Sequence, residues 1–310
     1  MGAGAFGRNH VRVIQQSGHA DLSGVLDLDP KVAADLGCPA FTTLDELAAR
    51  SDAAIVATPT VTHAEIGIRL MELGLDVMIE KPLAHDPAAG RRLVDTAERC
   101  GKLLQVGHLE RFNPAVVAVE SAITQPLFFE IHRMSMPGPR SLDVDVVLDL
   151  MIHDIDIVLC LTRQMPDEIR AAGISILSPK VDIANVRLQC PGGCVANLTA
   201  SRVSTERIRK LRLFQPHEYI SLDYTRQDAV RFHVDPPMKI DFKPLSVAKD
   251  EPLRLELEAF IDCLQTRQAP RVTGVQALAA LNVAFDILAK IEEHSRLVAR
   301  ALGSGVARDR

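Results

Sequence analysis

The sequence predicts two domains of different class, an α/β domain over residues 1–108 and an α+β domain over residues 109–310. A chain of 310 residues is longer than one typical hydrophobic core requires. Up to about residue 108, short apolar strands alternate with helical segments, which is typical of a parallel sheet covered on both faces. Beyond residue 125, strand-like segments follow one another through short turns. This pattern indicates a mostly antiparallel sheet.

The first domain is predicted from the spacing of its apolar residues, which alternates along the chain between a helical period and strand-like runs. The helical period covers residues 7–16, 63–73 and 87–100, and the strand-like segments cover residues 22–26, 53–57, 76–79 and 102–106.

The second domain is predicted from a run of strands interrupted by one helix at residues 146–162. Cys190 and Cys194 flank Pro-Gly-Gly between two of these strands, so we interpret them as hairpin residues rather than as a metal or redox pair. Two helices, at residues 253–266 and 274–302, end the chain. The predicted strands cover residues 128–135, 169–177, 182–190, 194–203, 210–214, 218–224 and 229–234.

A glycine-rich motif, G-x-G-x-x-G, stands at residues 2–7. In a dinucleotide-binding loop, Gly2 would make a tight turn, Gly4 would let the backbone approach a pyrophosphate, and Gly7 would let a helix pack closely. Ala5 and Phe6 complete the loop, and the helix N-terminus favours the negative charge of the pyrophosphate. Such a loop normally follows a buried strand. Because only Met1 precedes it here, the first strand is missing, and we expect the recorded start to lie downstream of the true one.

An acidic residue, Asp27, ends the second predicted strand at the spacing that this fingerprint requires. Its carboxylate would accept a hydrogen bond from the ribose 2′-hydroxyl and repel a 2′-phosphate. Leu28 and Asp29 follow, so no arginine is present there to hold such a phosphate, and the sequence favours NAD over NADP. The alternative is that Asp27 only begins a turn.

Polar side chains follow two later strands of the first domain. Thr58, Pro59 and His63 follow one strand, and Glu80 and Lys81 follow the next. Open parallel sheets bind ligands at this edge, so these residues are candidate cofactor contacts. Lys81 is also a candidate donor to a substrate oxygen. A polar exit from a strand is the alternative, and spacing alone does not decide between them.

The helix predicted at residues 146–162 carries Asp149 and His153 four positions apart, so both lie on one face. Histidine is suited to proton transfer near neutral pH, and a carboxylate one turn away orients its ring. The alternative is a capping Asp and a satisfied core His. We predict no metal site, because ligands on a single helix do not close one.

Composition excludes several functional classes. A formal net charge of −5 argues against a nucleic-acid partner. No apolar run approaches the length of a membrane span, and the N-terminus enters the glycine loop without a signal-peptide pattern, so we expect no membrane association. Six scattered cysteines suit a reducing cytoplasm.

Five motifs in order, covering nearly the whole chain, resemble the glucose–fructose oxidoreductase / inositol 2-dehydrogenase (Gfo/Idh/MocA) family. They are the glycine loop, the Asp after the second strand, Thr-Pro-x-x-x-His, Glu-Lys-Pro and Asp-x-x-x-His. The resemblance implies NAD-dependent oxidation of a sugar or polyol hydroxyl, with Lys81, Asp149 and His153 as the catalytic set. It also implies an open-faced second sheet and a homodimer or homotetramer.

A narrower resemblance, carried by residues 107–114 and 147–156, is to the branch that acts on UDP-linked amino sugars. It implies substrate contacts from His108, Arg111 and Asn113 beside the catalytic set. Arg140 is a further candidate for a phosphate, although an exposed surface arginine is the simpler interpretation. The alternatives are an enzyme acting on a free sugar or polyol such as myo-inositol, and a non-catalytic NAD-binding regulator.

Overall fold

A computed structural model describes residues 1–29, 31–138, 142–235 and 239–305. They form two compact units: Met1–Phe112 with Asp250–Leu281, and Asn113–Lys249 with the described residues from Asn282 onward. The sequence predicts a single domain over residues 109–310. In the structure, Asp250–Leu281 packs with the parallel-sheet unit.

The secondary structure follows the predicted alternation and then the predicted run of strands. The helices are α1 (Gly7–Gln16), α2 (Lys31–Asp35), α3 (Leu44–Ala49), α4 (His63–Glu72), α5 (Pro87–Cys100), α6 (Pro114–Ala122), α7 (Ile152–Thr162), α8 (Pro252–Thr266) and α9 (Gly274–Gly305). The strands are β1 (Val25–Leu26), β2 (Ala40–Phe41), β3 (Ala53–Val56), β4 (Asp76–Glu80), β5 (Leu104–Gly107), β6 (Phe128–Met134), β7 (Glu168–Ile174), β8 (Ile183–Gln189), β9 (Val195–Ser201), β10 (Ile208–Gln215), β11 (Glu218–Asp223), β12 (Asp228–Asp235) and β13 (Lys239–Pro244).

The parallel sheet of the first unit is in two parts, β1-β2 and β3-β4-β5. Met1 and Gly2 lie between them: the Gly2 N–H donates to the Leu26 carbonyl at 2.8 Å, and the Ala57 N–H donates to the Met1 carbonyl at 2.9 Å. The groove between the two parts is lined by apolar residues such as Val11 and by polar residues such as His10 and Ser51. Strand β1 is regular only at Val25–Leu26, where it pairs with the two-residue strand β2, although the sequence predicts a strand over residues 22–26.

The central strand β4 is buried at all five positions, which matches its apolar sequence and its place between β3 and β5. Helix α5 starts sharply because Asp86 accepts a hydrogen bond from the Ala89 N–H at 2.7 Å and Pro87 occupies the first turn.

The second unit is built on an eight-stranded sheet in the order β13-β12-β11-β10-β6-β9-β8-β7. All pairs are antiparallel except β6 and β9, as expected for a mostly antiparallel domain. Helix α6 and strand β13 were not predicted. The valine-rich sequence of α6 fits a strand as well as a helix, and β13 is exposed at every position.

The two faces of this sheet differ in burial. Residues such as Phe129, Ile131 and Leu213 are fully buried on one face. The other face carries a cross-strand row of aromatic side chains with ring centroids 4.9–5.7 Å apart. We call this row the aromatic face, and it consists of Phe128, Phe214, Tyr219, Phe232 and Phe242.

The predicted hairpin joins β8 and β9, where the Cys190 N–H donates to the Cys194 carbonyl at 2.8 Å. Both thiols are free and buried, and burial raises their pKa values, that of Cys194 to about 11. They are therefore poor candidates for thiolate chemistry.

Part of α9, Gly274–Arg300, is long and apolar enough to cross a membrane by length and composition alone, with a mean hydropathy of 1.4 in its most apolar window. Half of that window is buried within the fold, and residues such as Leu281 and Ile287 are completely buried. A buried core helix meets the same criterion, so this helix is weak grounds for a membrane span.

Candidate functional site

The glycine loop packs tightly against the end of β3. Gly2 has a φ of +74°, and a Cβ there would lie 2.8 Å from Thr58 Cγ2. A Cβ on Gly7 would lie 2.1 Å from the Gly2 carbonyl oxygen, whereas a Cβ on Gly4 would meet nothing within 4 Å. The first and third glycines are thus required by packing within the protein, and the second faces open space. This division matches a loop whose backbone is approached by a ligand at Gly4.

Helix α1 begins at Gly7 without a side-chain cap, because the N-cap residue Phe6 offers no hydrogen bond to the first turn. Ala5 and Phe6 are exposed, and no acidic residue occupies the first turn. An uncapped helix N-terminus carries a partial positive charge and favours an anion. The loop therefore fits the pyrophosphate of a dinucleotide.

Asp27 lies directly after β1 and holds the glycine loop. Its carboxylate accepts hydrogen bonds from the Ala3 N–H at 2.6 Å and the Asp29 N–H at 3.0 Å. Burial raises the pKa of Asp27, but these backbone donors outweigh it and the net shift is downward, so the group is ionised at neutral pH. Each carboxylate oxygen has a second lone pair, so a ribose hydroxyl can still donate to it. Asp27 thus belongs to a turn and remains suited to bind a ribose.

His63, at the start of α4, lies against two of the predicted site segments. Its Nδ1 is 3.0 Å from the Pro82 carbonyl oxygen and its Nε2 is 2.9 Å from the Thr58 carbonyl oxygen. Burial lowers the pKa of His63, while the two carbonyls and the charge of Glu80 act in the opposite direction. A neutral ring donates from only one nitrogen. His63 is buried, which makes it a link between the loops at Pro59 and Lys81.

Glu80 ends β4, and its carboxylate folds back over Gly107, where a Cβ would lie 2.9 Å from Glu80 Oε2. The same oxygen accepts a hydrogen bond from the Lys81 N–H at 3.3 Å. Lys81 is half-buried, and the Lys81–Pro82 peptide bond is cis. The first unit thus brings the glycine loop, Thr58, His63, Glu80 and Lys81 to one edge of the parallel sheet.

In the second unit, Asp149 lies in a π-helical turn, Val147–Met151, that leads directly into α7 and His153. Both side chains are half-buried. The sequence predicts one regular helix here. The π turn is wider than an α turn, and such turns often occur at functional sites.

The entry to this π turn is fixed by backbone and side-chain hydrogen bonds. The Val146 N–H donates to the Val181 carbonyl at 2.9 Å, and Asp145 accepts from the Val181 N–H at 2.8 Å. The Arg202 guanidinium donates to the Val144 carbonyl. These contacts fix the segment that leads into the π turn of Asp149.

Two of the remaining predicted substrate residues, Arg111 and Asn113, donate to backbone carbonyls. Buried Arg111 donates to the Arg271 carbonyl at 3.2 Å, and Arg271 donates back to the Arg111 carbonyl at 2.8 Å. Asn113 caps α6 and donates to the Tyr224 carbonyl at 3.0 Å. His108 is buried after β5. Their substrate contacts stay a prediction, and Arg140 lies outside the described residues.

Sequence reasoning missed two buried polar residues of the first unit. His10 Nε2 is 2.7 Å from Glu80 Oε1, and Glu256 on α8 is fully buried. Burial, reinforced by the charge of Glu80, raises the pKa of Glu256 well above its usual value. A carboxylate among the apolar positions Leu253, Leu257 and Phe260 was the available signal. Across residues 1–29, 31–138, 142–235 and 239–305, no cluster of three or more His, Cys, Asp or Glu is arranged to hold a metal.

Models of known protein families match two parts of the chain. Residues 1–108 match the oxidoreductase family with an NAD-binding Rossmann fold, and residues 115–215 match the GFO/IDH/MocA C-terminal domain. The chain belongs to the Gfo/Idh/MocA oxidoreductase family. NAD is therefore the cofactor of this enzyme.

Individual members of the Gfo/Idh/MocA family resemble the chain along its whole length. The UDP-N-acetylglucosamine 3-dehydrogenase of Acidithiobacillus ferrooxidans is 32% identical over 302 residues, covering 94% of this chain and 96% of the relative. The inositol 2-dehydrogenase of Rhizobium meliloti is 25% identical, covering 96% and 97%.

Solved structures agree with this assignment. The Acidithiobacillus ferrooxidans enzyme, GnnA, superposes with a TM-score of 0.89 at 33% identity, covering 94% of this chain and 96% of its own. The aldose–aldose oxidoreductase of Caulobacter crescentus shares the fold with a TM-score of 0.82 at 20% identity, covering 95% and 96%. The Acidithiobacillus ferrooxidans and Rhizobium meliloti relatives are both dehydrogenases, so the chain is an enzyme rather than a non-catalytic regulator.

Proposed function

We propose that this chain oxidises the 3-hydroxyl of UDP-N-acetylglucosamine to a ketone, with NAD as the oxidant. One observation carries the proposal: the relative named for this reaction is 32% identical along 94% of the chain. The segments 107–114 and 147–156, which resemble the branch acting on UDP-linked amino sugars, support it.

The residues have the chemistry that this oxidation requires. Bound NAD supplies the hydride acceptor. His153 removes the hydroxyl proton, since imidazole titrates near neutral pH. Lys81 donates a hydrogen bond to the same oxygen and stabilises its developing negative charge. Asp149 orients His153, and His108, Arg111, Asn113 and Arg140 are proposed substrate contacts.

The cofactor contacts that we propose lie on the edge of the parallel sheet. The pyrophosphate binds the loop from Gly2 to Gly7, and Asp27 accepts from the ribose 2′-hydroxyl. Thr58, Pro59, His63 and Glu80 shape the rest of this edge beside Lys81.

The cellular setting is also a proposal. We infer a cytoplasmic homodimer or homotetramer, with the aromatic face as the contact between subunits. A 3-keto sugar is a substrate for transamination, so the product would lead to a diamino sugar of the kind used in lipid A.

The test is NADH formation, followed by absorbance, with UDP-N-acetylglucosamine, free N-acetylglucosamine and myo-inositol as separate substrates. The ketone lies uphill, so each reaction includes a carbonyl trap. We expect the UDP-sugar to react far faster, because the nucleotide supplies binding energy that positions the ring. His153→Ala should abolish the signal at neutral pH. Faster turnover of myo-inositol would instead favour a polyol dehydrogenase, as in the Rhizobium meliloti relative.

A further inference from the structure

A buried histidine, His10, contacts the residue that precedes Lys81. His10 lies on α1, one turn after the glycine loop, and its Nε2 is 2.7 Å from Glu80 Oε1. His10 is 3% exposed and Glu80 is 8% exposed, so water does not compete for this hydrogen bond. The opposite oxygen of Glu80 accepts from the Lys81 N–H at 3.3 Å. One carboxylate thus joins α1 to the backbone of Lys81.

The glycine loop also touches this histidine. The Phe6 ring packs edge-on against the His10 ring, with centroids 5.5 Å apart. Phe6 is exposed and belongs to the loop that fits the pyrophosphate. A continuous set of contacts therefore runs from Phe6 through His10 and Glu80 to Lys81.

The surroundings make His10 the donor on which Glu80 depends. The groups that influence Glu80 include His63 on α4 and Glu256 on α8, besides His10 and Lys81. His63 directs its ring nitrogens at the carbonyls of Thr58 and Pro82. Glu256 is fully buried, and its carboxyl oxygens have no hydrogen-bond partner within the described part of the chain. A second carboxyl group nearby makes an unpaired Glu80 more costly, and His10 offsets this cost.

We propose that His10 is a positioning residue for Lys81. It acts through Glu80 and couples the conformation of the glycine loop to the direction of the lysine side chain. The inference rests on the proposed role of Lys81, but His10 itself touches neither substrate nor reacting atoms. The hydrogen bond to Glu80, rather than the volume of the ring, is the property that matters.

Three substitutions separate positioning from packing. His10→Leu fills similar space without a donor, and His10→Asn is polar but too short to place a donor at the Nε2 position. His10→Gln can place its amide N–H there. We expect kcat to fall about 10- to 100-fold in the Leu and Asn variants, as for a misplaced catalytic group. The KM for the sugar should stay within about 3-fold, and His10→Gln should recover kcat to within about 5-fold of the parent.

Two controls accompany these measurements. Thermal unfolding identifies any variant that is not folded, and if the Leu variant is unstable, the comparison of Asn with Gln still decides. His19→Leu is the matched control, because His19 is exposed and lies just beyond α1. We expect it to leave kcat unchanged.

A second readout does not depend on the sugar. Lysines labelled by reductive methylation with 13C give NMR signals, and the signal absent in Lys81→Arg belongs to Lys81. Bound NAD would lie beside Lys81 and shift this signal by itself, so the signal is compared without NAD. We expect it to coincide in the parent and the His10→Gln variant, and to move in His10→Leu and His10→Asn. If the parent oxidises none of the sugars, the proposed function fails while this readout still tests the coupling. A Lys81 signal in folded His10→Leu that coincides with that of the parent, or a folded His10→Gln that behaves like His10→Leu, would overturn the proposal.

Discussion

Lys81 follows the fully buried strand β4, and Glu80 and His63 hold the backbone on both sides of it. This setting suits a group that acts on a substrate oxygen from a fixed position. The motif made Lys81 a candidate, because a lysine at the carboxyl end of a parallel strand faces the ligand edge, but spacing alone left a polar exit from the strand equally open. His10 could not be found in that way, since its partner Glu80 is 70 residues away in sequence.

Replacing Lys81 with Met tests its role directly. We expect kcat to fall about 100- to 1,000-fold, as when one donor to a developing oxyanion is removed. NAD affinity and thermal stability should remain close to those of the parent. Steady-state rates and calorimetric NAD titration provide the measurements, with exposed Lys249→Met as the control. Turnover within a few-fold of the parent would rule out the catalytic role.

Asp27→Asn tests the choice between NAD and NADP. The amide oxygen can still accept from the Ala3 N–H, while the Asp29 N–H loses its acceptor and the negative charge is lost. We expect the ratio of kcat/KM for NAD to kcat/KM for NADP to fall by roughly 10-fold or more, in line with a hydrogen bond to a charged group. An unchanged ratio would mean that Asp27 serves only the turn.

The elements were predicted well where apolar period and capping residues agree, as in α5, whose bounds match the prediction. They were predicted poorly where pairing between segments distant in sequence determines whether a strand or turn forms. Strand β1 is regular only where it pairs with the two-residue strand β2, and β13 pairs along its length with β12. The π turn before α7 depends on contacts with the segment at Val181, which no local pattern reveals.

Helix α8 carries a buried carboxyl group whose burial makes stability depend on pH. The pKa of Glu256 is raised in the folded state, so the folded protein binds more protons than the unfolded one above pH 4.5. The contribution of Glu256 to the free energy of unfolding is therefore lost as the pH rises toward the pKa that Glu256 has in the folded protein. We expect Glu256→Gln to raise the free energy of unfolding by about 1–3 kcal/mol at pH 8 and much less at pH 5. Urea unfolding at both pH values checks this, and an equal effect at both would contradict it.

Strand β6 and helix α7 are joined by a buried ion pair. Arg133 donates to Asp154 at 2.9 and 2.7 Å, next to His153 in sequence. We expect Asp154→Ala to cost about 3–5 kcal/mol, because it leaves a guanidinium buried without its carboxylate. Combining Asp154→Leu with Arg133→Met should cost less than the single change. Denaturant unfolding measures both variants, and a double variant less stable than Asp154→Ala would contradict this account.

At the scale of the whole molecule, the change of apolar period near residue 108 predicted both classes of sheet. It could not show that Asp250–Leu281 packs with the first unit. An apolar stripe on a helix, such as Leu253 and Leu257, indicates that the helix is buried. It does not indicate which element the helix packs against. Val13 on α1 is its partner in the structure.

The aromatic face predicts the state of association. Phe242 is 58% exposed and Ile240 is 66% exposed on this face, and such apolar patches mark contact surfaces. We expect the protein to form a homodimer or homotetramer, and Phe242→Glu with Ile240→Glu to shift it toward monomer. Light scattering after size exclusion measures the mass. Exposed Val61→Glu in the first unit is the control, and an unchanged mass in the double variant would exclude this face as the interface.

In the proposed reaction, hydride leaves C3 of a UDP-linked amino sugar for NAD. The most direct measurement uses UDP-N-acetylglucosamine deuterated at C3, with NAD and a carbonyl trap, and determines the mass of the reduced cofactor. We predict reduced cofactor one mass unit heavier, a ketone trapped at C3, and neither product with His153→Ala. Reduced cofactor without deuterium, or no reduction while myo-inositol is oxidised under the same conditions, would contradict the claim.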